Sequence, residues 1–146
     1  MSRPTPTAHL VVKGAAYAID FYSRAFGANE SFRLTDTAGN IGHAELSIGN
    51  SSIMLADEHP SFGALSPVTI GGCPVKFHLS VPNADEAVER ALAAGATLVR
   101  PVQDQFYGER SGMVADPFGY SWFLAHPIGP VSPEEMQKRY SAMLAG

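Results

Sequence analysis

The chain has 146 residues, 45% of them apolar, and a formal net charge of −4, which suits one domain or two small fused modules and excludes a disordered chain. No run of Lys or Arg offers the electrostatic footprint that nucleic acid requires, and no apolar run approaches the length of a membrane span. Cys73 is the single cysteine, so a disulfide framework and a thiolate metal site are excluded; with no signal-peptide pattern in MSRPTPT, a soluble cytoplasmic protein is expected.

The first predicted strand is AHLVVK from Ala8. Ala15, Ala18, Ile19, Tyr22 and Phe26 follow at helical spacing, and Gly27 is a plausible stop. NESFRLTD and IGHAELSIG alternate as strands around the turn signal TAGN, and SSIMLAD closes the segment. On IGHAELSIG, His43, Glu45 and Ser47 share one face, and Ala44, Leu46 and Ile48 share the other. Residues 58–74, rich in Ser, Pro and Gly, form a linker. VKFHLSV then alternates so that Val75, Phe77, Leu79 and Val81 make a buried face, while Lys76, His78 and Ser80 make the other. Asn83, with Glu86 three residues on, caps the next helix, whose buried stripe is Ala84, Ala87, Val88 and Ala91. Strands follow at ATLVRPVQ, RSGMVAD and YSWFLAH. Ser132-Pro133-Glu134-Glu135 opens a last helix over 132–145 with an apolar stripe of Met136, Tyr140, Met143 and Leu144. That stripe should pack on the domain or on a partner subunit.

The chain repeats itself. His9 and His78 are 69 positions apart, as are Ala18-Ile19 and Ala87-Val88. Gly27-Ala28 matches Gly95-Ala96 at 68, and Gly49 matches Gly119 at 70. Four pairs in order at nearly constant offset indicate two copies of one strand–helix–three-strand unit. Module one spans 7–57 and module two spans 75–127.

A duplicated unit with a histidine on each first strand resembles the vicinal oxygen chelate superfamily, which includes glyoxalase I, bleomycin-resistance proteins and extradiol dioxygenases. AIDFYSRAFGA (18–28), DQFYGERSGMVADPFGYSW (104–122) and VSPEEMQKR (131–139) are similar to its PhnB-like branch. The resemblance implies an α+β fold: two tandem βαβββ modules forming a cupped mixed sheet, with helices outside. The cup would hold a divalent metal or an organic ligand, and a homodimer is expected.

His9 and His78 match the family's first-strand ligand positions. With Glu45, they are the candidate ligands for Zn, Ni, Mn or Fe and the candidate catalytic residues. The family's metal enzymes also use a carboxylate in D-P-x-G-Y-x-x-E. In DPFGYSWF that position is Phe123, so the resemblance favours an apolar cup floor, with Trp122 beneath the helices. Asp57, Glu58 and His59 could reach the rim. Phe106 and Tyr107 read as an aromatic wall. Arg110 reads either as a clamp for an oxyanion or as the partner of an acidic neighbour. Glu45 is equally a solvent-facing strand residue.

No nucleophile elbow or phosphate-cradling glycine loop occurs. The expected function is binding of a small organic molecule through His9, Glu45, His78, Phe106, Tyr107, Arg110 and Phe123. The alternatives are a metal-dependent lyase, isomerase or dioxygenase, and a metal-free enzyme with a histidine base.

Overall fold

The computed structural model describes residues 3–146. Module one comprises β1 (Ala8–Val12), α1 (Ala15–Phe26), β2 (Asn29–Thr35), β3 (Ile41–Ile48) and β4 (Ser51–Asp57). The linker holds a 3-10 turn (Pro60–Phe62) and a short α2 (Pro67–Ile70). Module two comprises β5 (Lys76–Ser80), α3 (Ala84–Ala94), β6 (Thr97–Asp104), β7 (Glu109–Ala115) and β8 (Ser121–Pro127), and α4 (Pro133–Ala145) follows.

Each module makes one four-stranded mixed sheet, ordered β1-β4-β3-β2 and β5-β8-β7-β6. In each, the first strand runs parallel to the fourth, and the hairpins are antiparallel. The parallel pair exists because a helical crossover returns the chain to the starting end of the sheet. The fold is therefore α+β with two βαβββ modules.

Each helix is started by the end of its own module's fourth strand. Asp57 accepts hydrogen bonds from the amides of Ala15 and Ile41, at 2.7 Å each. His126, 69 positions later, accepts the amide of Ala84 through Nδ1 at 2.8 Å. Gly14, which precedes α1, lends no side-chain cap, so Asp57 serves instead and satisfies amides that the helix leaves open. On α3 the expected Asn83 cap forms as well, taking the amide of Glu86.

The modules share one core. α1 covers sheet one, α3 covers sheet two, and the helices pack on each other. Tyr22 and Phe26 of α1 lie against Trp122 of β8, with ring centroids 5.5 and 4.5 Å away. Buried Asp116 ties the joint. One carboxylate oxygen accepts the amides of Phe118 and Tyr120; the other accepts the Tyr22 hydroxyl at 2.5 Å and the Trp122 indole at 3.0 Å. Burial pushes the Asp116 pKa up against the pull of these bonds, and burial also raises that of Tyr22, which keeps its donor proton. Gly119 has φ +97, and a side chain there would meet Pro67 of α2, so the linker closes on the β7–β8 turn.

One expectation changes. The alternating face of β5 is only half-buried at Phe77 and Leu79, and Val75 is exposed, because that strand borders an open groove between the modules. Within one chain no residue of α4 is fully buried: Met136 is half-buried, and Tyr140, Met143 and Leu144 are exposed. α4 is held to its own chain by Arg139, which donates to the Phe106 carbonyl at 2.8 Å, and by Tyr140 beside the Phe106 ring. Among the described residues, no helix is long and apolar enough to cross a membrane.

Candidate functional site

Strand register defines two open faces. Across sheet one, Phe32, Glu45, Met54 and His9 stand in one row on adjacent strands. Paired residues share a face, so this row lies opposite the buried Leu10, Ala44 and Leu55 beneath α1. His43 joins the row: its Nε2 is 3.0 Å from a Glu45 carboxylate oxygen, and its ring is 5.9 Å from His9 and 5.8 Å from Phe32. Glu45 thus shares a row with His9, with His43 beside both, whereas His78, expected in the same group, stands on the other sheet.

Sheet two carries the equivalent row of Arg100, Met113, Phe123 and His78. Its spacing reproduces that of sheet one, with Phe123 in the place of Met54 and Arg100 in the place of Phe32. The His78 Nε2 lies 3.0 Å from a Glu109 carboxylate oxygen, and its ring lies 6.3 Å from Phe123. Tyr107 reaches the same face, where with Arg100, Gln105, Ser111 and Phe123 it borders a dimple of about 40 Å³. Trp122 is buried on the helix side, as alternation with Phe123 requires.

Other candidates sit elsewhere. Arg110 pairs in register with His126 on the helix side of β7. It holds Asp85 at 2.8 and 3.0 Å and Asp104 at 3.0 Å. Its bond to Asp85 lowers the pKa of that carboxyl, and the two carboxylates raise that of the guanidinium. It is thus the partner of acidic neighbours, one of the two readings open from the sequence. Phe106 turns to Tyr107 and to Tyr140 of α4. Asp57 is the α1 cap. Glu58 accepts the Ser66 amide, which holds its carboxyl below its usual range, and His59 stacks on Phe62.

Sequence reasoning passed over His43, Glu109 and Arg100 as site residues. His43 carried a signal, because it alternates with Glu45. Glu109 was legible only as a neighbour of Arg110, whereas strand alternation sends the two to opposite faces. Arg100 lies 68 positions after Phe32, on the matching strand, but the β-bulges of β6 obscure its face.

Within one chain the two rows remain separate clusters. Among the described residues, no group of three or more His, Cys, Asp or Glu converges on a point that could hold a metal ion. The residues beside the histidines are Met54 and Phe123, a thioether and a phenyl ring, neither of which replaces the carboxylate, imidazole or thiolate donors that Zn, Ni, Mn or Fe take. The donor set of one chain does not fit a Zn, Ni, Mn or Fe site. The arrangement does offer, per sheet, a histidine–carboxylate pair beside an apolar surface.

The family model described as the glyoxalase/bleomycin resistance protein/dioxygenase superfamily matches residues 5–124. An uncharacterized protein of Mycobacterium bovis is 43% identical over 142 residues, covering 95% of this chain and 93% of that protein. Among solved structures, the Arabidopsis thaliana gene product At5g48480 superposes with a TM-score of 0.66 at 28% identity, covering 85% of this chain and 99% of its own. TioX from Micromonospora sp. ML1 superposes with a TM-score of 0.65 at 27% identity, covering 88% and 98%.

Proposed function

Since the chain belongs to the glyoxalase/bleomycin resistance protein/dioxygenase superfamily, we propose that it binds a small, partly apolar organic molecule in a cup completed by homodimerisation. The observation that carries this reading is the pair of matched rows: each sheet offers half a site, and in each the residue beside the histidine is apolar. Two such faces, sheet one of one subunit against sheet two of the other, would enclose a ligand between Met54 and Phe123. The flanking His43–Glu45 and His78–Glu109 pairs would fix its polar groups. Exposed Phe32 and Leu34 on sheet one supply apolar area for such a closure.

A second reading has its own support. A histidine held 3.0 Å from a carboxylate is the arrangement of a general base, and each sheet carries one. A metal-dependent lyase, isomerase or dioxygenase is disfavoured by Phe123 at the carboxylate position.

Sedimentation velocity and a thermal-shift screen of planar aromatic acids and aromatic antibiotics test the proposal together. The expected result is a dimer whose melting temperature rises with at least one aromatic compound, the rise being lost in Phe123→Ala. A monomer, or a compound whose stabilisation persists in Phe123→Ala, overturns the binding cup. Uptake of one divalent cation per chain that disappears in both His9→Ala and His78→Ala would replace it with the metal-dependent reading.

A further inference from the structure

The two sides of the joint between the modules are related by the internal repeat, yet one side is filled and the other open. On the filled side, Phe118 packs 5.4 Å from Tyr17 and 5.9 Å from Phe21, and the Tyr120 hydroxyl clasps the free edge of β1. That hydroxyl accepts the Val11 amide and donates to the Val11 carbonyl, each at 3.1 Å. The repeat places Ile48, Asn50, Glu86 and Arg90 where this side has Phe118, Tyr120, Tyr17 and Phe21. None of the four is aromatic. A groove of about 680 Å³ results, within the range of small-molecule sites.

The groove combines an aromatic wall with the strand edge that its twin also has. Its wall is the stack of Phe26, Trp122 and Phe77, with centroid separations of 4.5 Å on each side of the indole. Its edge is β5. The Val81 amide bonds to the Ala125 carbonyl, so alternation turns the Ser80 amide and carbonyl to the free edge. Val11, the counterpart of Ser80, gives those same groups to a phenol. Among the described residues nothing takes them at Ser80. At the rim, Arg90 is fixed by a 2.7 Å bond to the Arg24 carbonyl. This places a cation beside the groove, where it favours an electron-rich ring.

We propose that this groove is a second binding site, distinct from the cup, for a planar hydroxyaromatic compound. The ring lies against the Phe26–Trp122–Phe77 wall, and the hydroxyl bonds to the backbone of Ser80, as Tyr120 bonds to Val11.

The test is amide and indole NMR of the full-length 15N-labelled chain, titrated with 2-naphthol and, as control, 2-methylnaphthalene. Saturable shifts at Ser80, Val81 and the Trp122 indole are expected, with at least fivefold weaker binding of the control. Ile48→Phe/Asn50→Tyr, which imports the residues of the filled side, should abolish the shifts. Glu86→Tyr, at an exposed position matching Tyr17, is a second plug should the double substitution disturb folding. Phe123→Ala should leave binding unchanged, which separates this site from the cup. Absence of saturable shifts at Ser80 and Trp122, equal binding of the two probes, persistence in both plugged variants, or loss in Phe123→Ala overturns the proposal.

Discussion

Asp116 shows how one side chain decides whether two modules behave as one. Four donors from both modules converge on it. Asp116→Asn puts an amide group against donors and should cost about 2–4 kcal/mol, read from chemical denaturation. The pH dependence has an unusual sign. Burial raises the folded-state pKa of this carboxyl above its ordinary value. Its contribution is therefore fully present below the unfolded value and is lost as pH rises through the folded one. Other carboxylates, such as Asp85 and Glu58, have lowered values and act in the opposite sense. Taking wild type minus Asp116→Asn cancels them. That difference should grow as pH falls from neutrality toward the ordinary carboxylate range; a difference that shrinks contradicts the assignment. Tyr120→Phe removes two bonds to Val11 and should cost about 1–2 kcal/mol.

The four-stranded sheets, their helices and their repeat were legible because alternation and helical spacing are properties of single elements. Boundaries fell within a residue or two, as for β6 and β7. The half-burial of β5 was not legible: alternation says which residues share a face but not whether another element covers it. The same limit applies to α4, whose stripe is exposed within one chain except where Tyr140 meets Phe106 and at half-buried Met136. At this scale the caps are the sharpest test. Asp57→Ala leaves two backbone amides without their acceptor and should cost about 3 kcal/mol, whereas Asn83→Ala should cost about 1 kcal/mol. Thermal or urea unfolding followed by circular dichroism separates these values. Deleting residues 132–146 removes no buried side chain, so the remaining domain should keep a single cooperative transition. If α4 contributes to the dimer, the deletion should also shift sedimentation toward monomer.

The candidate site illustrates what one sequence can and cannot convey about the molecule as a whole. His9, His78 and Phe123 were found through the repeat and the family resemblance, and the structure sets all three on open sheet faces. Arg110 lies on the helix side of its strand, where it pairs with Asp85 and Asp104 as one of its two readings had it. That β7 begins at Glu109 decides which of two adjacent charged residues meets His78, and composition gives no hint of it. The rows of the two sheets do not meet within one chain, so the cup is a statement about an assembly. It predicts that His9→Ala and Phe123→Ala subunits, each impaired alone, regain one intact cup in every mixed dimer when refolded together. Ligand-induced thermal stabilisation of the mixture would read this directly. Random re-association makes about half of the dimers mixed, each with one intact cup of its two, so recovery to about a quarter of the wild-type sites is expected.

The filled and open sides of the joint carry a consequence for how such a chain diverges. Two separate copies of one module must bear the same residue at both grooves, because every change in their gene appears twice. Joining the copies in one polypeptide lifts that constraint. Phe118 and Tyr120 can then plug one groove and steady the fold, while Ile48 and Asn50 leave its twin vacant. The plugged half becomes the ballast that lets the vacant half drift toward new ligands, so substitutions should accumulate unequally around two positions that began as equivalents.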